Sequence, residues 1–353
     1  MTDVHIVVPD GIDDPERPSG GNIYDRRVCR ELAAIGWSVH EHAVRGSWPS
    51  PTPADHAALS AAVAGIPDGV VVLVDGLVAS TAPEVLVPEA RRLRLVILVH
   101  MPLGEGPGEV PAEAQTREGA VLSAAAAVLT TSEWTHHRLL DRYSLQPDRV
   151  HVAEPGIDPA DIAPGTATGG ELLCVAAVTP HKGHDVLLAA LTMIKHLPWR
   201  CTCVGSLDRD PDFVDQLRSQ VGKNGIRDRV HFTGPLTGAE LNAAYAGADV
   251  LVLASRGETY AMVVTEALAR GLPVIVTAIG GLPLALGHGS GGSPPGLLVP
   301  PDDAPVLAQA LCAWLDDAEL RQQLRHAAEE RRLTLSGWSG TAGQISRVLS
   351  EVA

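Results

Sequence analysis

At 353 residues and 45% hydrophobic, the chain is long enough for two ordinary domains and apolar enough to give each a core. Its net charge of −15 divides as 12 Lys+Arg against 23 Asp+Glu over residues 1–165, and 15 against 19 over residues 166–353. Nucleic acid and anionic bilayers carry the same sign, so both are disfavoured as partners, and the more acidic first half suits a soluble, neutral or cationic ligand.

Hydrophobic runs such as VLSAAAAVL and LRLVILV stop short of the roughly 18–20 residues that a membrane helix needs. MTDVHIVV lacks a basic, signal-like start, and the five cysteines fall in no metal or disulfide spacing. A globular, cytoplasmic protein with small core cysteines is expected.

The chain opens with VHIVVP, a short apolar strand, and a loop ending in PSGGN, Pro18 to Asn22. A helix follows with Tyr24, Val28, Leu32 and Ile35 at helical spacing. WSVHEH, GVVVLVDG, LRLVILVH, AAVLTTS and DRVHVAEP read as further strands, with helices near 54–65, 80–91, 113–126 and 132–142 between them. This alternation predicts a parallel sheet with helices on both faces.

PGIDPADIAPGTATGG, from Pro155 to Gly170, is poor in large apolar residues and reads as an interdomain linker. Strand and helix then alternate again: ELLCVAAV, a helix over 183–196, WRCTCVG, a helix near 212–222, RVHFTG, a helix over 238–246, and DVLVLAS. ETYAMVVTEALAR from Glu258 reads as a helix that Gly271 and Pro273 stop, LPVIVT and GLLVP as strands, and 304–333 as helical. The expected architecture is α/β, with two doubly wound, Rossmann-like domains, 1–165 and 166–335, facing each other across a cleft; 336–353 forms a last helix that packs back on the first.

On one helix, Glu258 and Glu266 would stand two turns, about 12 Å, apart. Glycosidase carboxylates sit roughly 5–9.5 Å apart across a single bond, so this pair suits the two ends of an extended ligand better than hydrolysis.

The seven residues between Glu258 and Glu266, HKGHD from His181 to Asp185, GLPVIVTAIGGLP and GLLVPPDD together resemble glycosyltransferase family 4. The resemblance covers residues 171–333 closely and implies the GT-B architecture and metal-independent, retaining transfer from a nucleotide sugar. It gives Glu258 the donor-sugar hydroxyls, the amides of Tyr260, Ala261 and Met262 the sugar or phosphate, and Glu266 the ribose. Physically, free amides at a helix start favour an anion, and a carboxylate suits two vicinal hydroxyls.

Lys182 is assigned to the diphosphate leaving group. The family commonly has an arginine five residues earlier, where this chain has Ala177; His181, Arg209 and Arg256 are the substitutes at hand. Ala261 stands where glycine is commoner. In the first domain, Gly20 and Gly21 would present amides to the diphosphate, and His100, at a strand end, would contact the transferred sugar. Asp75 is a candidate for the acceptor. Arg26 is a weaker one, since a solvated face paired with Asp25 and Glu31 explains it better. A GT-B-like sugar-nucleotide epimerase would need added acid and base groups near the sugar, and a non-catalytic nucleotide-sugar-binding homologue would bind without turnover.

Overall fold

The computed structural model describes residues 2–16, 18–103 and 112–353. The chain divides into two compact units, one of Met1–Asp14, Ser19–Gly156 and Ser336–Ala353, the other of Pro15–Pro18 and Ile157–Leu335.

The first unit runs β1 (Asp3–Pro9), α1 (Gly20–Ala34), β2 (Ser38–Val44), α2 (Pro53–Ala64), β3 (Val71–Asp75), α3 (Gly76–Ala79), α4 (Pro83–Glu89), β4 (Arg94–Val99), α5 (Ala112–Ala124), β5 (Ala127–Thr130), α6 (Glu133–Arg142) and β6 (Val150–Val152). Its six parallel strands lie in the order β2-β1-β3-β4-β5-β6. β3 is buried at every residue, as a central parallel strand covered on both faces must be. The helix expected near 80–91 is instead two pieces: α3 starts directly on β3, and Pro83 begins α4 in a position where its missing N–H costs nothing.

The second unit runs β7 (Glu171–Val175), α7 (His184–Met193), β8 (Arg200–Val204), α8 (Pro211–Lys223), β9 (Val230–Gly234), α9 (Gly238–Ala246), β10 (Val250–Leu253), α10 (Met262–Leu268), β11 (Val274–Thr277), α11 (Leu282–Leu286), β12 (Gly296–Val299), α12 (Ala304–Asp316) and α13 (Ala318–Arg332). The order is β12-β11-β10-β7-β8-β9, again parallel. Strand order reverses between β7 and β10 here, and between β1 and β3 in the first sheet. In open α/β sheets the ligand crevice lies outside the carboxyl ends of the strands at such a switch point.

Residues 157–170 are no free linker. Asp249, fully buried, accepts from Thr166 N and Oγ1, from Glu171 N at 2.9 Å and from Arg325 at 3.0 Å, and Ala163 is buried with the second core. One carboxylate with four donors holds down a segment that has little apolar surface of its own. The last helix, α14 (Trp338–Val352), belongs to the first unit and contacts α1. Trp37 Nε1 donates to Ser346 Oγ at 2.9 Å, and Thr341 Oγ1 to the Glu154 carbonyl at 2.7 Å. Among the described residues no helix is long and apolar enough to cross a membrane.

Candidate functional site

Three loops are knitted together by backbone at the β7/β10 switch point. Lys182 ends a short 3-10 turn after β7, and Gly183 follows at φ 67°. A Cβ on Gly183 would lie 1.9 Å from the Ala254 carbonyl oxygen, so only glycine lets the two loops approach this closely. Arg256 N donates to the His181 carbonyl at 2.8 Å, and Gly281 N to the Glu258 carbonyl at 2.8 Å. A Cβ on Gly280 (φ 57°) would meet that same carbonyl at 1.8 Å.

This lattice brings Lys182 and Glu258 together: Nζ lies 2.7 Å from Oε1, which also accepts from Ser255 Oγ at 2.8 Å. Both side chains keep some exposure, and Glu258 Oε2 makes no hydrogen bond to the described protein.

The helix reading of Glu258 is corrected. α10 begins four residues later at Met262, and Ala261, its N-cap, has φ 64° and ψ 75°. Left-handed backbone at Ala261 breaks any helix that would run through it, and residues 258–261 are not helical, so the two glutamates do not share a helix and the 12 Å estimate does not apply. Glu258 sits in the turn, and Tyr260 beside it is buried. Glu266, half-buried on α10, accepts from the Tyr245 hydroxyl at 2.7 Å through Oε2. Burial pushes its carboxyl upward, and Tyr245 and then Arg270 oppose that. Arg270 stacks over the Tyr245 ring at 4.5 Å and bonds the Glu266 carbonyl and Asn242.

Of the substitutes for the arginine absent at Ala177, Arg256 is committed elsewhere. It grips Asp185 through both terminal nitrogens at 2.9 and 2.8 Å, Asp302 through Nε at 2.6 Å, and the Pro180 carbonyl. Gly257 packs on the His181 ring, whose pKa is lowered by burial and by Lys182. Arg209 is exposed.

In the first unit, Ser19 caps α1 through Asn22 N at 3.1 Å, so Gly20 and Gly21 form the first helical turn rather than a loop, with amides that have no intrahelical acceptor. A Cβ on Gly21 would touch the His100 ring at 3.3 Å. His100 Nε2 lies 2.7 Å from Asp25 Oδ1 and 3.5 Å from Asp75 Oδ2. Asp75 Oδ1 accepts from Leu77 N at 2.6 Å and caps α3.

Asp25, read from sequence as a surface partner for Arg26, is 3% exposed and was missed as part of the site. The signal was present: Asp25, Val28, Cys29 and Leu32 share one helical stripe, and all are buried. Arg26 pairs instead with Asp13 at 2.6 Å and Glu41 at 2.5 Å. Ile35, placed on the apolar stripe by its spacing, is 46% exposed at the end of α1. Among the described residues, the side-chain oxygens and ring nitrogens of Asp25, Asp75 and His100 cluster closely, as do those of Glu133, His136 and His137.

The family model described as Glycosyl transferases group 1 matches residues 166–331. A D-inositol 3-phosphate glycosyltransferase of Jonesia denitrificans is 31% identical over 265 residues, covering 69% of this chain and 61% of that protein. One of Corynebacterium glutamicum is 30% identical over 243 residues, covering 60% and 54%. D-inositol 3-phosphate glycosyltransferase 1 of Catenulispora acidiphila is 30% identical over 296 residues, covering 78% and 68%. The chain thus spans less than two thirds of the first two relatives. Among solved structures, a sucrose-phosphate synthase from Thermosynechococcus elongatus superposes with TM-score 0.82 at 23% identity, covering 99% of both chains. Anabaena HepE in complex with UDP and glucose gives 0.77 at 18% identity, covering 99% of this chain and 100% of that one.

Proposed function

Because the chain belongs to the group 1 glycosyl transferases, that is, glycosyltransferase family 4 with the GT-B architecture, we propose that it moves a hexose from a UDP- or GDP-linked sugar to a soluble small-molecule or saccharide acceptor. Transfer proceeds with retention and without a metal ion. The observation that supports this reading most is the meeting of Lys182 and Glu258 at the switch point of the second sheet.

The ammonium and carboxylate neutralise each other across their 2.7 Å contact. A nucleoside-diphosphate sugar offers each a better partner, phosphate oxygens to Lys182 and ring hydroxyls to Glu258, so charge builds on the leaving group beside a cation already in place. Glu266 serves the ribose with the oxygen that Tyr245 leaves open, and Tyr260, Ala261 and Met262 line the donor. Gly20 and Gly21 offer amides to the diphosphate, and His100 fixes the sugar. No side chain is needed as nucleophile: positioning and charge stabilisation carry the rate.

The test is turnover of UDP- and GDP-hexoses against a panel holding D-inositol 3-phosphate, free inositol and small saccharides, with excess EDTA in parallel. Product carrying the donor's anomeric configuration is expected, unchanged by EDTA, and Glu258→Ala and Lys182→Ala each lower kcat by about 10²-fold or more. If neither nucleotide sugar binds, or both variants turn over normally, the reading fails.

A binding-only reading has one observation in its favour, the commitment of Arg256 to Asp185 and Asp302 in a site that has Ala177. Tight UDP binding with no turnover across the panel would support it.

A further inference from the structure

Asp25 and Asp75 are 3% and 6% exposed, and the side chain of His100 is 19% exposed. One oxygen of each carboxylate and a ring nitrogen lie within 4.8 Å of one another. Two carboxylates at that depth cannot both ionise without a compensating charge, so they share a proton and titrate as a pair. Asp75 holds that proton more firmly: burial and then the charge of Asp25 push it well above the carboxylate range, whereas Asp25, raised by burial, titrates at about 7.

An ionised carboxylate only accepts, so across the 2.7 Å contact Nε2 is the donor. The lone pair of the neutral ring is then on Nδ1, which bonds no described protein group. Asp25 Oδ2 is buried without a hydrogen-bond partner, which fits a proton or ligand atom held between the two acids.

We propose that Asp25 is the positioning residue for His100: with Asp75 as proton-sharing partner it holds the imidazole in the Nε2–H tautomer and so keeps Nδ1 as an acceptor for a hydroxyl of the bound sugar. The ligand's identity rests on the reading above; the tautomer does not.

Among the described residues, the further titratable groups that meet this cluster lie on α1. Arg26 turns to Asp13 and Glu41, the Cys29 thiol is pushed up to about 12 by burial, and the Tyr24 hydroxyl donates to the Ala153 carbonyl with its ring edge-on to His100 at 5.1 Å. None of them competes for Nε2. When Asp25 takes up one proton, its O–H donates to Nε2, the ring proton is carried on Nδ1 instead, and the acceptor is lost.

The experiment is NMR of the full chain with 15N-labelled histidine, His100→Gln identifying the signals of His100. At about pH 8 the wild type shows a protonated Nε2 and a bare Nδ1, and at about pH 6 the protonation is reversed or mixed. Asp25→Ala shows a mixture at both; Asp25→Asn, nearly isosteric and expected to fold, loses the pH dependence. With UDP-glucose as donor probe, Asp25→Ala lowers kcat about 10- to 100-fold and leaves KM within about twofold.

A bare Nε2 at about pH 8, spectra unchanged in both variants, or a change in KM alone overturns the proposal. So does one equivalent of tightly held metal in the protein as purified, because an ion would then fill the cluster in place of the proton. If the wild type turns over no nucleotide sugar, the functional reading fails while the NMR outcome still decides this one.

Discussion

Ala261 occupies a conformation that costs an L-residue with a Cβ about 1–2 kcal/mol, and its place between the Glu258 turn and α10 is what sends the chain from one to the other. Glycine there would remove the strain and return part of the gain as unfolded-state entropy. Ala261→Gly is therefore expected to raise stability by about 0.5–1 kcal/mol in denaturant titration, and an unchanged or lower midpoint would refute the strain. Only the family resemblance marked this position, as an alanine where glycine is commoner. It did not show that the alanine postpones the helix, because ETYAMVVTEALAR contains no Gly or Pro to mark a break and the left-handed step has no compositional trace. Asp25 was hidden for another reason. Acid on a helix next to two arginines looks solvated until the burial stripe is counted from Asp25 itself.

At the scale of elements, the Lys182–Glu258 pair depends on Gly183 and Gly280, which lie hard against the Ala254 and Glu258 carbonyls. Gly280→Ala forces a Cβ into the Glu258 carbonyl at a positive φ and is expected to cost about 3 kcal/mol while weakening UDP binding, measured by thermal unfolding and calorimetry. An unaltered affinity would show that the turn is not held by this contact.

A second element, the β1–β2 pair, stacks His5 on His40 and His42, with His5 Nδ1 2.8 Å from His42 Nε2 and His40 bonded to Asp3. Burial, then neighbouring histidines, hold His5 and His42 below their ordinary value. The unfolded chain takes up protons near 6.5 that the folded chain refuses. Stability is thus whole above that value and falls as pH descends from it toward the depressed folded values. In His5→Val, denaturation midpoints at about pH 7.5 and 5.5 should differ less than in the wild type. An equal or larger difference would remove the ladder as the cause.

The strands were legible in the sequence because buried parallel strands are short apolar runs bounded by turns. The glycine lattice was not, since it depends on which carbonyls meet across loops far apart in sequence.

Over the whole molecule, α14 buries Trp338, Ile345, Val348 and Leu349 in the first unit, roughly 6–12 kcal/mol of apolar burial at 1.5–3 kcal/mol each. That is comparable with the 5–15 kcal/mol by which a domain is stable at all. A chain stopped after Leu335 should lose the first unit's cooperative unfolding and protease resistance while keeping the second unit's transition; two intact transitions would contradict this. The sequence reading placed a last helical piece here, and Gly156 shows how closely it packs, since a Cβ there would fall 2.3 Å from the Trp338 backbone.

Because Gly156 and Trp338 are neighbours in space but 182 positions apart, the order of synthesis matters. At roughly 5–20 residues per second, about 10–40 s pass between the emergence of β6 and that of α14, enough for the intervening unit to fold. The first-made half then waits on the ribosome with its α1 face uncovered, and is finished last.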